Sequence, residues 1–145
     1  MNCPVTLDAS LLIRASTRDE PGCGDCERAL LLLGERKIPL VMPTLILVEM
    51  AAALGRRGAG RSTVSRVLER VRTLPASVFL PLDESLAEDA AALALEYKLR
   101  GADAVYVATA RRAGAILLTV DEEQLSRAPS NVVAMRPEHF LTQAS

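Results

Sequence analysis

Short, almost wholly apolar runs alternate along this chain with longer stretches of helical periodicity. The apolar runs predict five strands, at Pro4–Leu7, Ile38–Met42, Val78–Leu80, Ile116–Thr119 and Val132–Met135. Because they are apolar at nearly every position rather than at every second one, these strands should be covered on both faces. The stretches between them predict helices: a short one after Ser10, then Cys26–Arg36 following a loop over Asp19–Gly24, Thr44–Arg57, Ser62–Arg72, Glu84–Leu99 and Ala102–Gly114. Two more short helices should follow Asp121 and Pro137. Ser62, Asp25 and Asp83 read as N-caps, and Gly58, Gly101 and Gly114 as stops. Strand and helix in alternation predict an α/β domain with a mainly parallel sheet. No repeat, low-complexity tract or linker divides the chain, so residues 1–145 read as a single domain.

Composition narrows the function more than the fold. Aromatic residues make up 3% of the chain and Trp is absent. That is too few for a base-stacking platform, so any nucleic-acid contact should run through the backbone. No run approaches the roughly 18–20 apolar residues of a membrane span, no secretory signal pattern opens the sequence, and three cysteines do not make a disulfide framework. The expectation is a cytoplasmic protein.

The acidic residues carry the chemistry. Asp8 ends the first strand in Val-Thr-Leu-Asp-Ala-Ser, and Asp121 ends the fourth in Leu-Leu-Thr-Val-Asp. Ligands of open parallel sheets bind at the carboxyl ends of the strands, where strand order reverses. In the order 3-2-1-4-5 the first and fourth strands are neighbours, and both carboxylates face one crevice. Each also suits an N-cap, as Asp103 suits the first turn of its helix. Glu49 resists the capping explanation. It is the only polar residue in Leu45–Leu54, and a helix apolar on all sides is expected to be buried on most of them. A carboxylate there needs a partner, a proton or a cation.

Carboxylates that converge raise one another's pKa, and a divalent cation with hard oxygen ligands, Mg²⁺ or Mn²⁺, relieves them. The only histidine is His139, close to the C-terminus. An imidazole base is therefore not expected, and the nucleophile would be water activated by the cation.

The segments Leu7-Asp8-Ala9-Ser10, Val48-Glu49, Gly101-Ala102-Asp103-Ala104 with Val107-Ala108-Thr109-Ala110, and Leu118-Thr119-Val120-Asp121 together resemble the PIN-domain family, in particular the VapC-type toxins of toxin–antitoxin pairs. The resemblance extends over nearly the whole chain, through Pro81-Leu82-Asp83 and the closing Arg136-Pro137-Glu138-His139-Phe140-Leu141. It implies a three-layer sandwich around a five-stranded, mainly parallel sheet in the order 3-2-1-4-5. It implies that Asp8, Glu49, Asp103 and Asp121 hold one or two Mg²⁺ or Mn²⁺ ions, with Ser10 and Thr119 as supporting hydroxyls. It further implies an endoribonuclease, a homodimer and an antitoxin partner.

Other features are less decisive. Arg56, Arg57, Arg61, Arg66, Arg70 and Arg72 stand against a single acid, Glu69, a local net charge of +5 in a chain of net charge -1. Arg56, Arg57 and Arg61, nearest the acidic segment, are candidates to hold an RNA backbone; a solvated helical face explains the run equally well. Cys23-Gly24-Asp25-Cys26 lacks a second pair for zinc, which leaves a loop disulfide, a redox role or none. A phosphoacceptor receiver needs an acidic pair and a lysine that are missing here. A haloacid-dehalogenase-type phosphatase needs Asp at position 10, where Ser stands. The surviving rivals are a PIN-like metal- or RNA-binding protein without cleavage activity and an RNA-processing nuclease unrelated to any antitoxin.

Overall fold

The computed structural model describes residues 3–17 and 19–145. Among them run β1 (Val5–Leu7), α1 (Ala9–Ala15), α2 (Cys23–Glu35), β2 (Leu40–Pro43), α3 (Leu45–Arg56), α4 (Arg61–Arg72), β3 (Ser77–Leu80), α5 (Glu84–Tyr97), α6 (Gly101–Ala113), β4 (Ile116–Leu118), α7 (Glu122–Arg127), β5 (Ala134–Met135) and α8 (Pro137–Ala144). The strands form one parallel sheet in the order β3-β2-β1-β4-β5, as expected from the sequence. Val5, Thr6 and Leu7 of β1 pair with Ile116, Leu117 and Leu118 of β4. All three residues of β1 are buried, so the central strand is covered on both faces. The one polar side chain among them, Thr6, donates its hydroxyl to the Val41 carbonyl at 2.8 Å, which meets the hydrogen bond that a buried hydroxyl requires.

Helix α6 lies against β1, β2 and β4 and is backed by α5. Its residues 104–110 are all buried, and small side chains at Ala104, Ala108 and Ala110 let the helix sit close to its neighbours. Away from this pair, α2 packs on α1 and α8, and α3 on α4. The sheet order reverses between β1 and β4, whose carboxyl ends therefore open on one crevice.

Several boundaries differ from the sequence expectation, each for a local reason. Helix α2 starts at Cys23, because Gly22, at φ 86, takes the N-cap position and accepts from the Cys26 amide. Asp25 is thus in the first turn, ion-paired with Arg28, and is not the cap. Gly60, not Ser62, precedes α4. Helix α5 stops at Tyr97 with Lys98 left-handed at φ 58, while Gly101 opens α6 instead of closing α5. Strand β5 is reduced to Ala134–Met135. Asp83 does cap α5, accepting the Leu86 amide at 2.9 Å.

The largest correction concerns α3. Its apolar run does not signify burial on most sides: only Ile46 and Met50 are buried, and Val48 is 65% exposed. Leu45 and Leu47 are part-buried against the core and the helix contacts both α1 and α4, so its exposed residues are Val48, Ala52, Gly55 and Arg56.

Candidate active site

Asp8 follows β1 and caps α1. Its Oδ1 accepts from the Leu11 amide at 3.2 Å and the Ser10 hydroxyl at 2.7 Å, and its Oδ2 accepts from the Thr119 hydroxyl at 2.8 Å. Three donors fix the carboxylate in a position that is only 3% exposed. Burial nevertheless prevails over these bonds and pushes the Asp8 carboxyl up from 3.8 to about 6.

Thr119 links the two strand ends. While donating to Asp8, its hydroxyl oxygen accepts the Asp121 amide at 3.0 Å. Asp121 in turn caps α7, its Oδ1 accepting the Gln124 amide at 3.0 Å. Ser10 and Thr119 thus both donate their hydroxyls to Asp8.

Asp103, in the first turn of α6, accepts a bond to Oδ1 from the Gln124 side-chain amide at 2.8 Å, while its buried Oδ2 has no partner among the described residues. Burial holds the Asp103 carboxyl above its ordinary value; the Gln124 bond works against this and the nearby Asp121 adds to it. Glu49, on α3, is partly buried and lies beside the Tyr106 hydroxyl. That hydroxyl makes no bond at hydrogen-bond distance to any described residue. Burial, followed by the Glu49 carboxylate, holds Tyr106 in its protonated form.

All four acids line a single cleft of about 250 Å³, together with Ser10, Ile13, Ala53, Arg56, Arg100 and Tyr106. They surround it rather than meet at a point: among the described residues no three acidic, His or Cys side chains stand close enough to hold an ion as placed. The donor set does fit a hard divalent cation. It consists of carboxylate oxygens alone, and Asp103 Oδ2 is a buried acceptor with no donor among the described residues. His139 is exposed on α8 and does not line the cleft.

A second cleft, of about 400 Å³, adjoins the first and shares Ser10, Ile13, Ala53 and Arg56 with it. Arg14, Arg57 and Glu20 complete its polar wall. Glu20 bridges Arg14 at 3.0 Å and Arg57 at 3.1 Å. Arg56 borders both clefts and has no ion-pair partner among the described residues. Arg61 lines neither.

Sequence reasoning missed Gln124, Tyr106, Arg100 and the Arg14–Glu20–Arg57 bridge. Gln124 stands in the polar string Asp121-Glu122-Glu123-Gln124, which looks like a solvent-facing turn, yet it is wholly buried. Cys23 Sγ bonds to the Ala15 carbonyl at 3.5 Å, and burial pushes the Cys26 thiol up to about 11, where little thiolate exists.

Known proteins share this architecture. PAE2754 from Pyrobaculum aerophilum is 22% identical, with a TM-score of 0.69 over 99% of this chain and 90% of its own. The toxin VapC20 of Mycobacterium tuberculosis, which cleaves the sarcin–ricin loop, is 19% identical at a TM-score of 0.69, over 89% and 98% of the two chains. VapBC2 from Rickettsia felis, seen bound to a DNA fragment from its promoter, is 13% identical at 0.70, over 92% and 98%. Identities this low establish a common fold alone. No curated protein matches the chain by sequence. The sequence model of one family, the PIN domain, matches residues 5–130, a span that takes in all four acids of the cleft and strands β1 to β4; the chain belongs to the PIN-domain family.

Proposed function

We propose that this protein is a divalent-metal-dependent endoribonuclease, acting as the toxin of a VapBC-type toxin–antitoxin pair. The observation that carries the reading is the gathering of Asp8, Glu49, Asp103 and Asp121 from four separate elements into one cleft. Those four side chains would hold Mg²⁺ or Mn²⁺, as one ion or two. When bound, a divalent cation polarises a phosphoryl oxygen and makes water a better nucleophile. Asp8 is held in a fixed orientation by Ser10, Leu11 and Thr119, so it enters the reaction without having to be ordered first. Tyr106 keeps its proton at any working pH and remains a hydrogen-bond donor at the wall of the cleft. Arg56 and Arg57 would bind backbone phosphates on either side of the scissile one, which matches an extended polyanionic strand lying across both clefts. Arg61 would act only outside them.

The antitoxin partner rests on the shared fold with toxins of such pairs. A homodimer would use the large apolar side chains left on the surface, Val48 of α3 and Leu95 of α5, 65% and 80% exposed. No described helix is long and apolar enough to cross a membrane.

The test is cleavage of a labelled structured RNA by wild type and Asp8→Ala, each with Mg²⁺, Mn²⁺ or EDTA. Cutting that requires both the metal and Asp8 is expected. Binding of Mn²⁺ without cutting of any RNA would favour a non-cleaving binding protein. Cutting with no antitoxin reading frame beside the gene would favour a role in RNA processing.

A further inference from the structure

Gln124 has no place in the reading above, and its setting is unusual for a glutamine. It is 0% exposed, and its side-chain carbonyl Oε1 is buried with no partner among the described residues. An apolar side chain of similar size would avoid that unmet acceptor. What the amide does make is one bond, from Nε2 to Asp103 Oδ1 at 2.8 Å. The same residue's backbone amide donates to Asp121 Oδ1 at 3.0 Å. One residue of α7 therefore grips a carboxylate from the start of α6 and another from the end of the β4 segment, two positions that no other bond among the described residues connects.

We infer that Gln124 is a positioning residue: it ties Asp103 to Asp121 and turns Asp103 so that Oδ1 is spoken for and Oδ2 is left for a cation. The inference rests on the metal-site reading proposed above. An amide suits this task better than its alternatives. It donates to Asp103 without adding charge, whereas a glutamate in its place would repel two carboxylates and an apolar residue would leave Asp103 without this bond. The contact to Asp121 comes from the backbone N–H and not from the side chain, so Met or Leu at this position should disturb Asp103 alone.

The experiment is calorimetric titration of Mn²⁺, without RNA, into wild type, Gln124→Met, Gln124→Leu and Asp103→Ala, with thermal melts of each metal-free protein. Met keeps the length of the side chain but cannot donate, and Leu is a second apolar choice should Met pack badly. The expected result is a Mn²⁺ affinity roughly 10–100-fold weaker in both Gln124 variants and a greater loss in Asp103→Ala, with the melts showing that each variant is folded. Unchanged Mn²⁺ affinity in folded Gln124→Met and Gln124→Leu overturns the inference, all the more clearly if their melting temperatures fall, because Gln124 would then serve packing only. Failure of wild type itself to bind Mn²⁺ overturns the metal site and the role of Gln124 with it.

Discussion

Replacing Asp8 by asparagine removes a buried charge while nearly preserving the shape of the side chain, and the structure sets the size of the effect. Burial moves this carboxyl from 3.8 to about 6. At about 1.36 kcal/mol per pH unit, an ionised Asp8 costs the metal-free fold roughly 3 kcal/mol at neutral pH. Asparagine abolishes that cost and keeps Oδ1 for Ser10 and Leu11. Its amide nitrogen, however, replaces the acceptor of the Thr119 hydroxyl, which already accepts from Asp121. The lost bond costs about 0.5–1.5 kcal/mol, leaving Asp8→Asn more stable by about 1.5–2.5 kcal/mol. The sign must reverse with pH. The folded carboxyl binds its proton more tightly than the unfolded one, so its contribution to wild-type stability is full below about 3.8 and is lost as pH rises through about 6. Urea unfolding in EDTA, followed by circular dichroism at about pH 4 and about pH 8, should show the variant ahead at the higher pH and level with or behind wild type at the lower. A gap that does not change with pH, or a variant less stable at the higher pH, would refute the claim that Asp8 is a strained buried carboxylate and leave it an ordinary helix cap.

Glu20→Gln frees Arg14 and Arg57 from their internal carboxylate, so RNA affinity measured by fluorescence anisotropy in EDTA should rise severalfold and fall more steeply with added salt; equal or weaker binding would mean these arginines serve the fold. Asp83→Ala should cost about 0.5–2 kcal/mol through loss of the bond to the Leu86 amide while leaving cleavage at the wild-type rate, checked by pairing a melt with a cleavage assay. Tyr106→Phe removes a buried hydroxyl that has no partner at hydrogen-bond distance among the described residues, so its melting temperature in EDTA should hold or rise; if that hydroxyl reaches the substrate, single-turnover cleavage will slow while Mn²⁺ affinity stays unchanged.

Much of the site was legible because it lies where parallel sheets place their ligands. Asp8 and Asp121 each follow an apolar run, and the position of such runs in sequence is easy to read. Thr119 and Ser10 were implied by the resemblance to the PIN-domain family. Glu49 was found by an argument only half correct. Its solitary charge in an apolar helix suggested deep burial, whereas α3 buries only Ile46 and Met50 and leaves Val48 exposed. Apolar residues in excess of one face need not be fully buried, and most of those on α3 are only part-buried. Gln124 was invisible for a different reason. Its burial depends on α7 folding back over the start of α6, joining positions 103 and 124 through a bond that no periodicity announces. The missed helix start at Cys23 likewise depended on Gly22 adopting a positive φ, a choice open to glycine but not dictated by it.

The most direct test of the central claim is single-turnover RNA cleavage in Mn²⁺ by Asp8→Asn, Glu49→Gln, Asp103→Asn and Asp121→Asn, each neutral and nearly isosteric, with Asp83→Ala as the control. The account predicts that all four lose cleavage by orders of magnitude while folded and that the control cuts like wild type. Full activity in any one of the four, or equal loss in the control, would contradict a single catalytic cleft built from these acids.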